Sequence, residues 1–292
     1  MIAGQDNAVR KKAAAIFSRE CLAQSLVLPD SYFAILYQTA CWLETQCQNG
    51  QQKTLGISGA QGSGKSTFSK LLATLLVECF ETRTLVLSLD DFYLTRAERS
   101  KLASISPMLK TRGVPGTHDL ALCLAAVASF RRGEPILIPE FSKPHDDRVG
   151  ERSEAGTGLQ LLILEGWCWG AEPEAGPALI EPINALERIQ DPDGVWRRYV
   201  NDQLKAYQQL FETDLSLFLK VPDFAAVKRW RWQQEQGLPV GPARMSQTEV
   251  EQFIMYYERI TRQLLKCRPA QVDVCLSLDL EHAVYVDKFP AI

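Results

Sequence analysis

The stretch "GISGAQGSGKST", residues 56–67, joins a short apolar run to a helical pattern and decides the fold. A glycine-rich turn of this kind places few Cβ atoms between a strand and a helix N-terminus, so backbone N–H groups can surround a polyphosphate. The pattern GxxxxGK[ST] is met by Gly59, Ala60, Gln61, Gly62, Ser63, Gly64, Lys65 and Ser66, with Thr67 following. We expect Lys65 to reach the β- and γ-phosphates of a bound nucleotide and Ser66 to ligate Mg²⁺.

Short apolar runs alternate with helical patterns along the rest of the chain. The predicted strands are 54–58, 84–89, 136–140, 161–165, 215–221 and 272–278. The predicted helices are 11–27, 31–47, 65–80, 119–132, 176–190, 195–212, 223–236 and 246–267, the last capped by Ser246 with Glu249. This order indicates an α/β fold with a mainly parallel sheet covered by helices on both faces. We expect one catalytic domain over 51–292, preceded by a helical N-terminal extension over 1–50, with working loops near 112–118, 140–160 and 237–245.

Composition narrows the possible partners. The 292 residues carry a formal net charge of −3 and are 46% hydrophobic, which predicts no general attraction to nucleic acid or to an anionic membrane. The start shows no secretory signal, and no apolar run is long enough to cross a bilayer. The eight cysteines form no CxxC pair, which favours reduced thiols and the cytoplasm. The oligomeric state is left open.

Two adjacent carboxylates follow the second predicted strand, in "TLVLSLDDFYLT", residues 84–95. Ligands of parallel α/β folds bind beyond the carboxyl ends of the strands, which is where Asp90 and Asp91 would lie. An aspartate there can accept a proton from an attacking hydroxyl while Lys65 and Mg²⁺ hold the γ-phosphate. Asp91 is expected to be the structural member of the pair. No N-K-x-D motif for guanine occurs, which argues against a GTPase.

The stretch "LSLDDFYLT", residues 87–95, resembles the second-strand motif of the uridine kinase, pantothenate kinase and phosphoribulokinase superfamily. Three further stretches narrow the resemblance to the D-glycerate 3-kinase family: "TRGVPGTHDLAL" (111–122), "PEFSKPHDDRVGER" (139–152) and "LLILEGW" (161–167). The resemblance covers about 56–261. It implies a P-loop kinase fold and an ATP- and Mg²⁺-dependent kinase of a small acceptor, with Asp90 as the catalytic base.

The resemblance also assigns the remaining site residues. Glu165, at the end of a predicted buried strand, can hold Mg²⁺ through a water. The two charged loops are expected to bind the acceptor through Arg112, His118, Asp119, Lys143, His145, Arg148 and Arg152. The segment "KRWRWQQEQ" (228–236) resembles a lid whose Arg229 and Arg231, with Glu235, close over the triphosphate; a solvated helix surface is the alternative.

The cation-rich loops contain one aromatic residue, Phe141, and this favours D-glycerate, converted to 3-phosphoglycerate, over a nucleoside. Two alternatives stay open. One is a kinase for another small acceptor, such as a nucleoside or a pantothenate-like molecule. The other is a nucleotide-binding regulatory ATPase without acceptor chemistry.

Overall fold

The computed structural model describes residues 2–237 and 244–291. In this part of the chain the α-helices are α1 Ile2–Ala23, α2 Asp30–Gln46, α3 Lys65–Phe80, α4 Arg96–Leu102, α5 Leu120–Arg132, α6 Ala185–Gln190, α7 Val195–Phe211, α8 Phe224–Gln236, α9 Gln247–Met255 and α10 Glu258–Gln271. The strands are β1 Lys53–Gly59, β2 Thr84–Ser88, β3 Ile136–Ser142, β4 Asp147–Glu154, β5 Leu161–Gly166, β6 Leu215–Lys220, β7 Val274–Leu278 and β8 Val284–Lys288.

A six-stranded sheet in the order β2-β5-β1-β6-β7-β8 forms the centre of the fold. The neighbours are parallel except β8, which runs antiparallel to β7 at the edge. After β1 the chain builds β2 and β5 on one side and then β6 and β7 on the other, so the strand order reverses at β1. In open α/β sheets the ligand crevice lies at such a point, outside the carboxyl ends of the strands. The predicted α/β fold with a mainly parallel sheet flanked by helices is confirmed.

The core runs along the central strands. Ile57 of β1 and Ile163 of β5 have no exposed surface, as expected for strands covered on both faces. The helices α1 and α2 pack against α3, and their buried residues, such as Ala13 and Leu36, belong to the same hydrophobic cluster as the sheet. Trp42 of α2 also packs edge-on against Phe289, with ring centroids 5.9 Å apart. The division at residue 50 into an extension and a domain stays a prediction.

The predicted strand 136–140 does not belong to the central sheet. It is the first strand of a separate antiparallel hairpin, β3–β4, which replaces most of the loop expected over 140–160. Ile136 and Ile138 are buried while Leu137 is 41% exposed, so only one face is covered. Pro139 has no N–H to donate to a central ladder, and proline is confined to edge positions in sheets. The proline is the signal that the sequence prediction overlooked, whereas Ile136, Leu137 and Ile138 are all apolar and show no alternation in the sequence.

Two predicted helices are each interrupted. The segment 176–190 divides into a short 3-10 helix over 176–179 and α6, with Pro182 between them and Asn184 capping α6. The segment 246–267 divides into α9 and α10 at Tyr256 and Tyr257. The capping box of Ser246 and Glu249 at the start of α9 is confirmed. The strand β8, which alternates valine with polar residues, was not predicted.

None of the helices in the described part of the chain is both long and apolar enough to span a lipid bilayer. The loop expected over 237–245 falls largely on residues 238–243, which lie outside the described residues.

Candidate active site

The predicted P-loop lies at the switch point of the sheet. The central strand β1 ends at Gly59, and α3 begins at Lys65. Gly62 and Gly64 have φ values of 79° and 78°, in the left-handed region that favours glycine. A Cβ atom on Gly62 would also come within 2.7 Å of the Cβ atom of Trp230. Both the backbone conformation and the close contact therefore require glycine at this position.

This loop opens into a cavity of about 400 Å³. From the P-loop the cavity is lined by Gln61, Gly62, Gly64, Lys65, Ser66 and Thr67. Gly59 ends the strand, and Ala60 and Ser63 are buried beneath the loop, with 5% and 3% of their surfaces exposed. The loop thus presents its later residues and the N-terminus of α3 to the cavity, which is the arrangement that binds phosphates.

Two predicted metal ligands meet at the carboxyl ends of neighbouring strands. Glu165 of β5 lies beside Ile57 of β1, and its Oε1 atom accepts a hydrogen bond of 2.8 Å from the Ser66 hydroxyl. The Oε2 atom of Glu165 is buried without a hydrogen-bond partner. The Lys65 ammonium lies 3.9 Å from Oε2, too far for a hydrogen bond.

The oxygen atoms of Ser66 and Glu165 fit Mg²⁺ in a nucleotide site. The described residues contain no cluster of three or more His, Cys, Asp or Glu side chains that could hold a metal ion by themselves. Magnesium at nucleotides usually takes one or two protein oxygens, together with water and phosphate oxygens. The Ser66 hydroxyl and the unpartnered Oε2 atom of the Glu165 carboxylate supply such oxygens beside the P-loop.

Asp90 faces the cavity from a short 3-10 helix that follows β2. Its Oδ1 atom accepts a hydrogen bond of 2.6 Å from the Tyr93 hydroxyl, and its Oδ2 atom accepts one of 2.8 Å from Lys143. Burial by itself would raise the pKa of Asp90, but the charges of Lys143 and Lys65 and these two hydrogen bonds hold it at about 2. The carboxylate is therefore ionised at neutral pH.

Asp91 has a different environment. Its Oδ2 atom accepts a hydrogen bond of 3.2 Å from the Ser88 N–H and completes a capping box on the 3-10 helix. Burial raises the pKa of Asp91, and the neighbouring carboxylates of Asp90 and Glu165 add to the effect. The Asp91 side chain holds the turn that directs Asp90 into the cavity.

Cations surround the cavity. Its lining includes Lys65, Arg112, Lys143 and Arg231. The Arg112 guanidinium pairs with Asp146 and lies over the Phe141 ring, 5.5 Å from the centroid. The Arg231 guanidinium lies 2.7 Å from the buried carboxylate of Glu235, which also accepts a hydrogen bond from the Met245 N–H. The structure thus brings together two of the seven predicted acceptor residues, Arg112 and Lys143, and one of the two lid arginines.

Three other predicted acceptor residues do not line the cavity but pack behind the residues that do. His118 is 5% exposed, stacks on Tyr93 at 4.9 Å, and its Nδ1 atom lies 2.7 Å from the Tyr207 hydroxyl. Burial lowers the pKa of His118 to about 4, so its ring is neutral. Asp119 caps α5 and pairs with Arg148 at 3.1 Å. The Arg148 Nε atom also donates a hydrogen bond of 2.8 Å to the Tyr93 carbonyl oxygen.

The last three predicted residues lie on exposed surfaces. His145 is within 2.6 Å of the Ser142 hydroxyl at the hairpin turn, and Arg152 pairs with Glu154 of its own strand. Arg229 pairs with Glu281, whose side chain is 78% exposed, at 3.0 Å. None of the three belongs to the cavity lining.

The uncharged side chains that line the cavity outside the P-loop were not predicted from the sequence. These are Tyr93, Trp167, Gln234, Phe253 and Tyr257. Trp167 donates a hydrogen bond of 2.7 Å to the Gly113 carbonyl oxygen, and Tyr257 donates one of 3.1 Å to that of Arg112. They thereby hold the predicted acceptor loop against the cavity. Tyr93 and Trp167 could have been found from their positions, just after Asp90 and Glu165.

Two known kinases are similar to this chain in sequence. The chain is 35% identical over 224 residues to the uncharacterized kinase mug58 of Schizosaccharomyces pombe, covering 71% of this chain and 79% of that protein. It is 29% identical over 219 residues to the chloroplastic D-glycerate 3-kinase of Arabidopsis thaliana, covering 70% of this chain and 45% of the plant protein. No protein-family model matches.

The fold is similar to that of the D-glycerate 3-kinase of Cryptococcus neoformans. The TM-score is 0.73 and the sequence identity 24%, over 87% of this chain and 99% of that one. At this identity the likeness shows the fold alone. The identity to mug58 over most of both sequences, with the P-loop at the switch point of the sheet, shows the family. The chain belongs to the D-glycerate 3-kinase-like family of P-loop kinases and is an ATP-dependent small-molecule kinase.

Proposed function

We propose that this kinase transfers the γ-phosphoryl group of ATP to a hydroxyl of D-glycerate, giving 3-phosphoglycerate and ADP. The observation that carries the proposal is the convergence of the P-loop, one carboxylate and several cations on a single cavity. Asp90 lies there together with Lys65, Arg112, Lys143 and Arg231. A triphosphate and a carboxylate-bearing acceptor both need positive charge, and a small hydroxy acid offers little apolar surface for recognition.

The donor half of the cavity is assigned to the P-loop and α8. Backbone N–H groups of 62–67 and the Lys65 ammonium would hold the β- and γ-phosphates, and Arg231 would contact the triphosphate from the opposite wall. Ser66 and Glu165 would hold Mg²⁺, which neutralises developing charge on the phosphates when bound. Glu235 orients Arg231, since its buried carboxylate lies 2.7 Å from the guanidinium.

The acceptor half is assigned to Asp90, Arg112 and Lys143. Each carboxylate oxygen of Asp90 accepts one hydrogen bond, and release of one partner would make that oxygen a stronger acceptor for the proton of the acceptor hydroxyl. The Lys143 side chain is 61% exposed, whereas Tyr93 is buried. We therefore assign this release to Lys143, which moves from the Oδ2 atom of Asp90 to the carboxylate of the acceptor. Tyr93 stays hydrogen-bonded to Oδ1 and keeps the carboxylate oriented.

A second candidate acceptor is a larger molecule with an apolar part, such as a nucleoside or a pantothenate-like compound. The aromatic side chains of Tyr93, Trp167, Phe253 and Tyr257 in the cavity favour it. These four residues lie outside the two charged loops, in which Phe141 is the one aromatic residue.

A coupled assay of ADP formation on the purified protein tests the proposal. The acceptors are D-glycerate, L-glycerate, uridine, pantothenate and water alone, with Asp90→Asn as the matched inactive control. Stimulation by D-glycerate that is absent from the control supports the proposal. Turnover of uridine or pantothenate without turnover of D-glycerate would contradict D-glycerate as the acceptor and would support only the assignment as a small-molecule kinase. ADP formation that no acceptor stimulates would favour the regulatory ATPase.

The cytoplasm is our proposal for the compartment, because the eight cysteines, all within the described residues, form no disulfide. Absence of nucleic-acid and membrane partners stays a prediction from the net charge of −3.

A further inference from the structure

The turn between β7 and β8 reaches the back of the P-loop. It is closed by Asp279, whose Oδ1 atom accepts hydrogen bonds of 2.9 Å from the N–H groups of Glu281 and Ala283. The N–H group of His282 donates a hydrogen bond of 3.1 Å to the Asp279 carbonyl oxygen. Tyr285 donates one of 3.0 Å to the Oδ2 atom of Asp279. These bonds give the turn one defined shape.

His282 has a backbone conformation that its residue type does not favour. Its φ is 61°, in the left-handed region, where glycine is unstrained and asparagine is tolerated. Its imidazole Nε2–H donates a hydrogen bond of 2.9 Å to the Gly62 carbonyl oxygen, across 220 positions of sequence. Because a carbonyl oxygen only accepts, the proton lies on Nε2. A strained backbone and a specific long-range hydrogen bond therefore occur at the same residue.

Trp230 of the lid helix α8 packs against both His282 and the β7–β8 turn. Its indole lies against the His282 ring, with ring centroids 4.1 Å apart and an interplanar angle of 30°. Its Nε1–H donates a hydrogen bond of 3.1 Å to the Leu280 carbonyl oxygen of the same turn. Its Cβ atom occupies the space that a side chain on Gly62 would need. The P-loop, the lid helix and the β7–β8 turn are thus packed together at Gly62.

We propose that His282 is a positioning residue of the nucleotide site, which acts through Gly62 rather than by touching the nucleotide. Its N–H holds the Gly62 carbonyl, so the N–H groups of the loop stay arranged around the triphosphate before ATP binds. Through Trp230 it also ties the loop to the helix that carries Arg231. His282 is not among the residues that line the cavity. The inference does not depend on which acceptor the enzyme uses.

Three substitutions separate this role from a merely structural one. His282→Gln keeps an N–H donor near the position of Nε2 and keeps a strained backbone. His282→Asn tolerates the left-handed conformation, but its amide is too short to reach Gly62. His282→Gly relieves the strain and removes the donor. ATP affinity should therefore follow the presence of the donor and not the ease with which the residue adopts the left-handed conformation.

The measurement is the Kd of MgATP by isothermal titration calorimetry, with thermal unfolding of the same samples. We expect His282→Gly and His282→Asn to raise the Kd about tenfold, the effect of losing one hydrogen bond, while the melting temperatures show whether both variants are folded during the titration. His282→Gln should stay within about threefold of wild type. Tyr285→Phe, which loosens the same turn without touching Gly62, serves as the control and should leave the Kd unchanged.

Two results would overturn the proposal. One is an unchanged Kd in His282→Gly. The other is equal weakening in His282→Gln and His282→Asn, because the donor would then not matter. Inorganic tripolyphosphate, used as a competitor of ATP, extends the test. Equal weakening for ATP and tripolyphosphate supports action through the P-loop, while weakening confined to ATP would place the imidazole on the nucleoside and contradict the proposal.

Discussion

The Lys143 ammonium lies 2.8 Å from the Oδ2 atom of Asp90, so the β3–β4 hairpin contacts the carboxylate that follows β2 and faces the P-loop cavity. The contact joins residues 53 positions apart. It has a chemical consequence: burial raises the pKa of Asp90, but the charges of Lys143 and Lys65 together with the hydrogen bonds from Lys143 and Tyr93 outweigh burial and hold this pKa at about 2. A carboxylate held in this way is fully ionised, but it becomes a better proton acceptor when the lysine moves away.

Asp90→Asn should keep the size of the side chain and remove its proton affinity. We expect turnover to fall by about 10²- to 10⁴-fold while MgATP still binds. The matched variant is Asp91→Asn, which should cost less activity and more stability because Asp91 caps the 3-10 helix. Steady-state kinetics and thermal melts of both variants check this. Exchanged behaviour would mean that Asp91 is the base.

Lys143→Met should change the pH dependence of kcat/KM. Removing the ammonium raises the pKa of Asp90 from about 2 toward its ordinary value of 3.8. Asp90 then takes up a proton at a higher pH, so the acid limb of the plot of kcat/KM against pH shifts to higher pH. Lys143→Arg keeps the charge and should retain the wild-type limb. A Lys143→Met profile that coincides with wild type would show that the ion pair does not tune Asp90 in the working enzyme.

Arg112→Ala and Arg148→Ala distinguish a cation that faces the cavity from one behind it. Arg112 lines the cavity, so its loss should raise the KM for D-glycerate about 10- to 100-fold, as expected for a hydrogen bond to a charged group. Arg148 binds the Tyr93 carbonyl and Asp119, so its loss should lower kcat and stability more than acceptor affinity. The sequence analysis assigned both to the acceptor. A steep rise in KM for Arg148→Ala would favour that assignment.

Arg231→Ala and Arg229→Ala test whether the lid helix α8 acts through an arginine that lines the cavity. Both arginines lie on α8, but Arg231 lines the cavity whereas Arg229 pairs with the exposed Glu281. An exposed ion pair contributes little to stability, so Arg229→Ala should be nearly neutral. Arg231→Ala should lose more turnover than nucleotide affinity if the contact forms on closure. Kinetics and MgATP titration of the two variants measure the difference. Equal effects of the two substitutions would favour the alternative, in which both arginines belong to a solvated helix surface and neither contacts the triphosphate.

His118 should make the folded protein sensitive to mild acid. Burial lowers its pKa from 6.5 to about 4, so between these values the unfolded chain binds a proton that the folded protein does not. The free energy of unfolding should therefore fall as the pH drops from 6.5 to about 4, by roughly 3 kcal/mol at most from this group. Urea unfolding of wild type and His118→Gln across this range checks it. Equal slopes in both proteins would contradict the assignment.

Much of the donor site could be predicted from the sequence. The glycines of 59–64, the lysine and the serine are contiguous, and each meets a local requirement of backbone conformation or chemistry. The alternation of apolar strands and helices likewise follows from local periodicity. It predicted the class of fold, and it placed Asp90 and Glu165 at strand ends on the same edge of the sheet.

The acceptor side could not be predicted in this way. Lys143 and Arg148 lie five positions apart in one charged stretch, yet one reaches Asp90 and the other reaches the Tyr93 carbonyl. The turn of the β3–β4 hairpin directs them to different places, and the sequence analysis had predicted a loop there. The cavity residues Phe253 and Tyr257 come from a segment far along the chain from the P-loop, where no local pattern marks them.

The sequence by itself determined the P-loop, the strand-end carboxylates and the class of fold, because these depend on neighbours along the chain. Only the tertiary structure decided which charged side chains face the cavity and which form ion pairs and hydrogen bonds behind its lining. It also decided that Ser66 meets Glu165 across 99 positions and Gly62 meets His282 across 220. The physical reason is that such pairs depend on side-chain direction and on packing between distant elements, and neither is encoded by residue spacing.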